Sequence, residues 1–230
     1  MINDSCSQID CTPPEYSLEK HLKILSDCNN EAFMLYSIWE RDKHRISSRI
    51  SHTATPFLTY SDHGPDHSAA IVANIARLLC ERVKCLGAPD TWMILECAYR
   101  HDVGMTLGYD EMKERVTSEK FLTYLEELKF SSDVDLQRAA TYILENKKTL
   151  LNHQLSDENW LSWTLRTERN IMLVLANQLR KEHGINSKHI LDSEEEQKLH
   201  PEIPERIWKI MGLICQGHNE DSKWMLTNLE

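Results

Sequence analysis

The apolar positions of this chain gather into stripes at helical spacing, and those stripes predict its elements. Ile71, Ile75 and Leu78 form one, in a helix that opens at Pro65, runs to about Val83 and is ended by Gly87–Pro89. Ile94, Cys97 and Ala98 share a face in the next helix, which Gly104 stops. Met172, Leu175 and Leu179 align in a long helix expected to reach His183, after an N-cap near Ser156 and Asn159. Ile203, Ile207, Ile210 and Ile214 align in a last helix opened by Pro204. Before these, residues 1–16 read as a polar arm with Pro13 and Pro14, and residues 17–50 as helical with a break near residues 28–30. Residues 53–66 read as a loop, residues 110–128 and 133–148 as charged amphipathic helices, and residues 185–199 as a polar, mixed stretch.

Composition narrows the fold class. Seven glycines and seven prolines in 230 residues are too few for the many tight turns of a sandwich or barrel, so the expectation is all-α, one helical domain over residues 17–230. The formal net charge of -10 argues against long nucleic acid as a partner, because binding through phosphates draws on basic surfaces. It leaves room for a small phosphorylated ligand, since a bound metal supplies positive charge locally. Seven cysteines without a CxxC pair, and an opening MINDSCSQIDCTPPEY without a secretory pattern, are expected of reduced thiols in a cytoplasmic protein. No apolar run approaches the ~18 residues of a membrane span, so no membrane partner is expected.

Candidate chemistry enters with the histidines. His67 lies four residues before Ile71, His101 continues the face of Ile94 and Cys97, His183 follows Leu179, and His218 follows Ile214. A histidine on an apolar face is ordinarily a core residue with a satisfied hydrogen bond. Four of them near helix ends, one followed directly by Asp102, instead suit a divalent transition metal, which takes neutral imidazole and carboxylate ligands. Such a metal would also offset the cost of burying Asp102.

The stretch DHGPDHSAAIVANIARLL followed by AYRHDVGM resembles the first two motifs of the HD metal-dependent phosphohydrolase superfamily. LRKEHGINSKHI resembles an Arg-x-x-His-x-x-x-Ser motif of members with extended metal sites, and maps onto Arg180, His183 and Ser187. ICQGHNED resembles a later His-His-Glu motif, with His218 and Glu220 in place. The resemblance spans roughly residues 57–221 and is nearest to an HD subgroup of multidomain bacterial proteins that carry an Hsp90-type ATPase module, marked here by Ser61–Ser68. It implies an HD-type helical bundle with His67, His101, Asp102, His183 and His218 as metal ligands. One or two divalent ions per chain would be held, drawn from Mn, Fe, Co, Ni, Zn or Mg.

The implied activity is hydrolysis of a phosphate ester, nucleotide-derived by expectation, with water activated beside the metal. Asp102 would orient the nucleophile; His63 and Arg100 are further catalytic candidates, and Arg100, Arg180 and Lys181 are candidates for binding substrate phosphate. Gly-Tyr-Pro does not follow His218, which disfavours a cyclic-dinucleotide phosphodiesterase, and VGMTL at 103–107 disfavours an alarmone hydrolase. Two departures stand out. Asn219 occupies the place of the second histidine of the His-His pair, and no residue is fixed as the closing aspartate, for which Asp192 and Asp221 are candidates. The alternative is therefore a regulatory or degenerate HD module that senses or binds a partner, either an adjoining ATPase module or a second copy of the chain.

Overall fold

Short polar side chains set where the helices begin. In the computed structural model, which describes residues 17–51, 64–146 and 160–228, Ser17 accepts the Lys20 N–H at 3.1 Å and opens α1 (Leu18–Ser26). The turn at residues 27–29 leads into α2 (Asn30–Ser51), and Pro65 stands at the head of α3 (Pro65–Leu79). Ala88–Arg100 is α4, Tyr109–Thr117 is α5, and Ser118 accepts the Phe121 N–H to start α6 (Glu119–Leu128). Asp133 accepts two N–H groups at 3.0 and 3.1 Å to start α7 (Val134–Glu145). The remaining helices are α8 (Trp160–Leu191), α9 (Glu194–Lys198), α10 (Glu205–Gly217) and α11 (Ser222–Asn228). The chain is all-α, as expected, and no strand occurs among the described residues. None of the described helices is long and apolar enough to cross a membrane, and the five described cysteines are free thiols. The expected arm at 1–16, the loop up to residue 63 and the cap near Ser156 lie outside the described residues.

The chain groups into two compact units: the described parts of Met1–Ser47 with Pro65–Tyr99, and of Ser48–Gly64 with Arg100–Glu230. In the first, α1 packs on α3 and on a 3-10 turn at Cys80–Cys85. Leu18, Leu22, Trp39, Val72, Ala76 and Leu95 are buried there. The edge of Trp39 meets the Tyr99 ring at 5.0 Å, and Lys43 donates to both Glu19 oxygens at 2.8 and 2.9 Å. His21 spends its Nε2 on the Leu86 carbonyl at 3.0 Å, which makes it a core histidine. The α3 stripe differs from expectation. Val72 and Ala76 are the buried positions, Ile71 and Ile75 are half-buried, and Leu78 is 85% exposed. The α-helix stops at Leu79 and tightens into the 3-10 turn, where Cys80 takes a positive φ of 48°.

The second unit is organised round α8, which packs against α7, α10 and a 3-10 turn at Val103–Met105. Phe121 and Leu125 of α6, Ala139, Ala140 and Ile143 of α7, and Leu175 and Leu179 of α8 make its apolar core together with Met105. The 32-residue helix α8 does not stop at His183 but continues two turns to Leu191. Its apolar surface carries on past the histidine with Ser187 and Leu191, both fully buried. The last stripe is also rotated from expectation. Trp208, Met211 and Cys215 form the buried face of α10, whereas Ile210 and Ile214 are 43% and 38% exposed. An indole and a thioether bury more apolar area than two isoleucines, so the helix turns that face inward.

Candidate metal centre

The centre is built where the end of α4 turns over the middle of α8. His101 and Asp102 follow Arg100, the last residue of α4, and Asp102 heads the 3-10 turn without capping it through its side chain. Positions i and i+4 lie on one face of a helix, so His183 and Ser187 both point at this turn. Ser187 donates its hydroxyl proton to the His101 carbonyl at 2.6 Å and accepts the Gly104 N–H at 2.9 Å. One fully buried side chain thus ties the His-Asp doublet to α8 on both sides.

Gly104 explains why the turn can lie so close. A Cβ there would stand 2.2 Å from the His183 carbonyl oxygen and 2.5 Å from the Ser187 nitrogen, both backbone atoms that cannot step aside. Gly184 plays the same part for α10. Its Cβ would meet the Gln216 carbonyl at 2.9 Å, so only a hydrogen fits where the end of α10 crosses α8. That crossing brings His218, the C-cap of α10, to His183.

Asp102, His183 and His218 converge. The Nε2 atoms of the two histidines lie 2.7 Å apart, and Asp102 Oδ1 stands 3.4 Å from the first and 3.6 Å from the second. The other Asp102 oxygen faces His101 Nε2 at 2.9 Å. Tautomers decide what this cluster can do. His183 Nδ1 meets the Arg180 carbonyl at 2.7 Å, and His218 Nδ1 meets the Cys215 carbonyl. A carbonyl only accepts, so each Nδ1 carries a proton, and in a neutral ring the Nε2 turned towards the cluster is then the acceptor. Both Nε2 atoms and a carboxylate oxygen therefore face one another, a set that can share a proton or take up a metal cation. Tetrahedral or octahedral coordination at metal–nitrogen distances of ~2.0–2.1 Å sets ligand atoms about 3.0–3.4 Å apart. The observed spacings bracket that range, so this donor set fits a divalent ion. Asp102 is 2% exposed and His183 8%, while the His218 side chain is 30% exposed and forms the open edge.

His67 is half-buried on α3, in the first unit, and His63 lies outside the described residues. Arg100 is buried and bonded to Glu196, with its guanidinium 5.2 Å from the Trp208 ring, so it has a structural partner and does not snorkel to solvent. Arg180 and Lys181 are exposed on the turn before His183. Asn219 donates its amide to the Lys181 carbonyl at 2.9 Å and serves the crossing of α8 and α10. Glu220 accepts from Gln216 at 3.0 Å, Asp192 from Lys188 at 2.6 Å, and Asp221 accepts the Trp224 N–H at 2.8 Å. Sequence reasoning missed Glu196, His200 and Trp208. All three are buried, and the His200 ring stacks on Trp208 at 6.0 Å. Only the apolar bulk of Trp208 could have signalled that group; an acidic run such as Glu194–Glu196 reads as solvated.

The helices deliver a His-Asp doublet and two further histidines to one cluster, which could hold a metal ion. Residues 57–230 match the model of the HD-CE family, and the chain belongs to that family. No curated protein and no solved structure matches it.

Proposed function

We propose that this chain is a metal-dependent phosphohydrolase acting on a phosphate ester, nucleotide-derived by preference. The observation that carries the reading is the facing set of Asp102 Oδ1, His183 Nε2 and His218 Nε2, which lie 2.7–3.6 Å from one another. A divalent ion, when bound, supplies Lewis acidity towards phosphoryl oxygens and lowers the pKa of nearby water. The chain's own residues do the rest. One Asp102 oxygen faces His101 Nε2 and the other faces the histidine pair, which sets the carboxylate between them. The carbonyls of Arg180 and Cys215 hold the two imidazoles in one tautomer and orientation, as second partners of metal-ligating histidines commonly do. Arg180 and Lys181, exposed beside His183, are assigned to the substrate phosphate. His67 and His63 keep the roles that the motif implies, a further ligand and a catalytic contact.

The test is elemental analysis of protein purified without added metal, run beside Asp102→Ala, His183→Ala and His67→Ala. Stoichiometric metal that is lost in the first two variants supports the site. Its loss in His67→Ala adds the motif histidine to it, and the metal count per chain decides between one ion and two. Metal-free protein that stays so after reconstitution, in every variant, sinks the reading.

A second reading is favoured by Asn219, whose amide is spent on the Lys181 carbonyl where a further metal ligand would be expected. In it the chain is a metal-binding regulatory module, set beside an Hsp90-type ATPase as in the multidomain subgroup it resembles. A metal-replete chain inert towards a panel of nucleotides would favour this reading.

A further inference from the structure

A protein of net charge -10 repels phosphorylated ligands on average, so a phosphate-reading site needs a local reversal of sign. Cations that could supply it stand on the turn before His183 and on two helices paired with that turn. Glu182, one residue before His183, accepts from Arg115 Nη1 of α5 at 3.1 Å and pairs with Lys120 Nζ of α6 at 3.0 Å. On the same turn Lys181 holds its ammonium 5.0 Å over the Tyr124 ring, and Arg180 is exposed. Asn219, next to His218, bonds the Lys181 carbonyl, so this turn and the exposed edge of His218 adjoin. Two cations, from α5 and α6, thus pair with one carboxylate, and two more, Arg180 and Lys181, precede it on α8. Glu220, two residues after His218, accepts from Gln216 at 3.0 Å.

We propose that Arg115, Lys120, Arg180 and Lys181 form a rim that selects ligands with two or more phosphates in a chain over single phosphates. The inference rests on the phosphohydrolase reading for its substrate, but binding itself does not need turnover. Glu182 acts as a placeholder: a carboxylate and a phosphate oxygen are alike as acceptors. A phosphate carries more charge, so Arg115 and Lys120 exchange one for the other when a chain of phosphates extends from the centre. A single phosphate is met by Arg180 or Lys181 alone and leaves the Glu182 pairs intact. Tyr124 contributes by fixing Lys181; its hydroxyl is anchored on Asn177.

The experiment titrates the full chain, as purified and without added metal, with inorganic tripolyphosphate and with orthophosphate by calorimetry. Tripolyphosphate is expected to bind about tenfold more tightly. Arg115→Gln with Lys120→Gln should weaken tripolyphosphate about tenfold and leave orthophosphate within about twofold. Glu182→Gln should tighten tripolyphosphate about threefold, a gain that misfolding cannot mimic. Equal affinity for the two anions overturns the proposal, as does a double variant that keeps its tripolyphosphate affinity or a Glu182→Gln chain that loses it. Selective binding with no ester hydrolysed by the metal-loaded chain would leave the rim standing and remove the enzyme. Hydrolysis indifferent to phosphate number would do the reverse.

Discussion

Replacing Ser187 by alanine removes one oxygen atom, and the structure fixes what that atom holds. Its hydroxyl donates to the His101 carbonyl at 2.6 Å and accepts the Gly104 N–H at 2.9 Å, in a place with no exposure to water. Each buried group stripped of such a partner costs about 1–3 kcal/mol. Two of them, less some relaxation, give an expected loss of about 2–4 kcal/mol. For a chain of this size about 2–4 °C of Tm follows each kcal/mol, so Tm should fall by about 5–15 °C. Stability is only half of the effect. The hydroxyl also sets the distance between Asp102, which follows His101, and His183, one turn before Ser187. Metal affinity should therefore drop by about 10–100-fold, the usual cost of losing an outer partner of a metal ligand. Thermal melts with and without added metal, beside a metal titration, read both losses. The exposed neighbour His189→Ala is the control and should change neither. A Ser187→Ala protein that melts within about 1 °C of the parent and keeps its metal affinity would refute the argument.

Gly104→Ala should cost more than about 3 kcal/mol or prevent folding, because its methyl would meet backbone atoms at 2.2 and 2.5 Å; circular dichroism through a urea titration reads the loss. Glu196→Ala strands the buried Arg100 guanidinium and should cost about 3–5 kcal/mol, while Arg100→Met with Glu196→Met recovers most of it; a single variant within about 1 kcal/mol of the parent would contradict this. Burial raises the Tyr99 pKa, with Glu19 and Asp66 adding to the shift and Lys43 opposing it. A folded pKa above the unfolded value of about 10 means that stability is intact below pH 10 and falls as the pH rises through the folded value. Tyr99→Phe should therefore flatten the alkaline loss, seen as a smaller drop in urea midpoint between about pH 8 and pH 11.

Much of the centre could be read from spacing. The histidines at the ends of apolar stripes and the doublet at a helix end are local patterns, whereas Ser187 entered through the motif that the chain resembles and Gly104 only as a helix stop. What spacing could not supply was the choice between adjacent helical faces. In α10 the run Ile207, Ile210, Ile214 is a valid stripe, yet Trp208, Met211 and Cys215 win the interior. In α3 the error was a single turn: Leu78 sits where the α-helix is about to tighten, outside the register that buries Ala76. Glu196 was illegible because its partner Arg100 lies 96 residues away. Asn219 was visible as a departure, but its bond to Lys181 depends on how two helices cross.

The bonds that complete the centre close very long loops: 86 residues between Ser187 and His101, 83 between Ser187 and Gly104, and 96 between Arg100 and Glu196. The apolar cluster of α6, α7 and α8, by contrast, joins segments that lie closer together in the chain. Loop closure is an entropic toll that distant contacts repay late, so the helices of that cluster should assemble first and the histidines meet last. A nascent chain would then carry no working centre until the α10 segment emerges from the ribosome and docks. The ability to capture metal becomes a report that folding has reached its end.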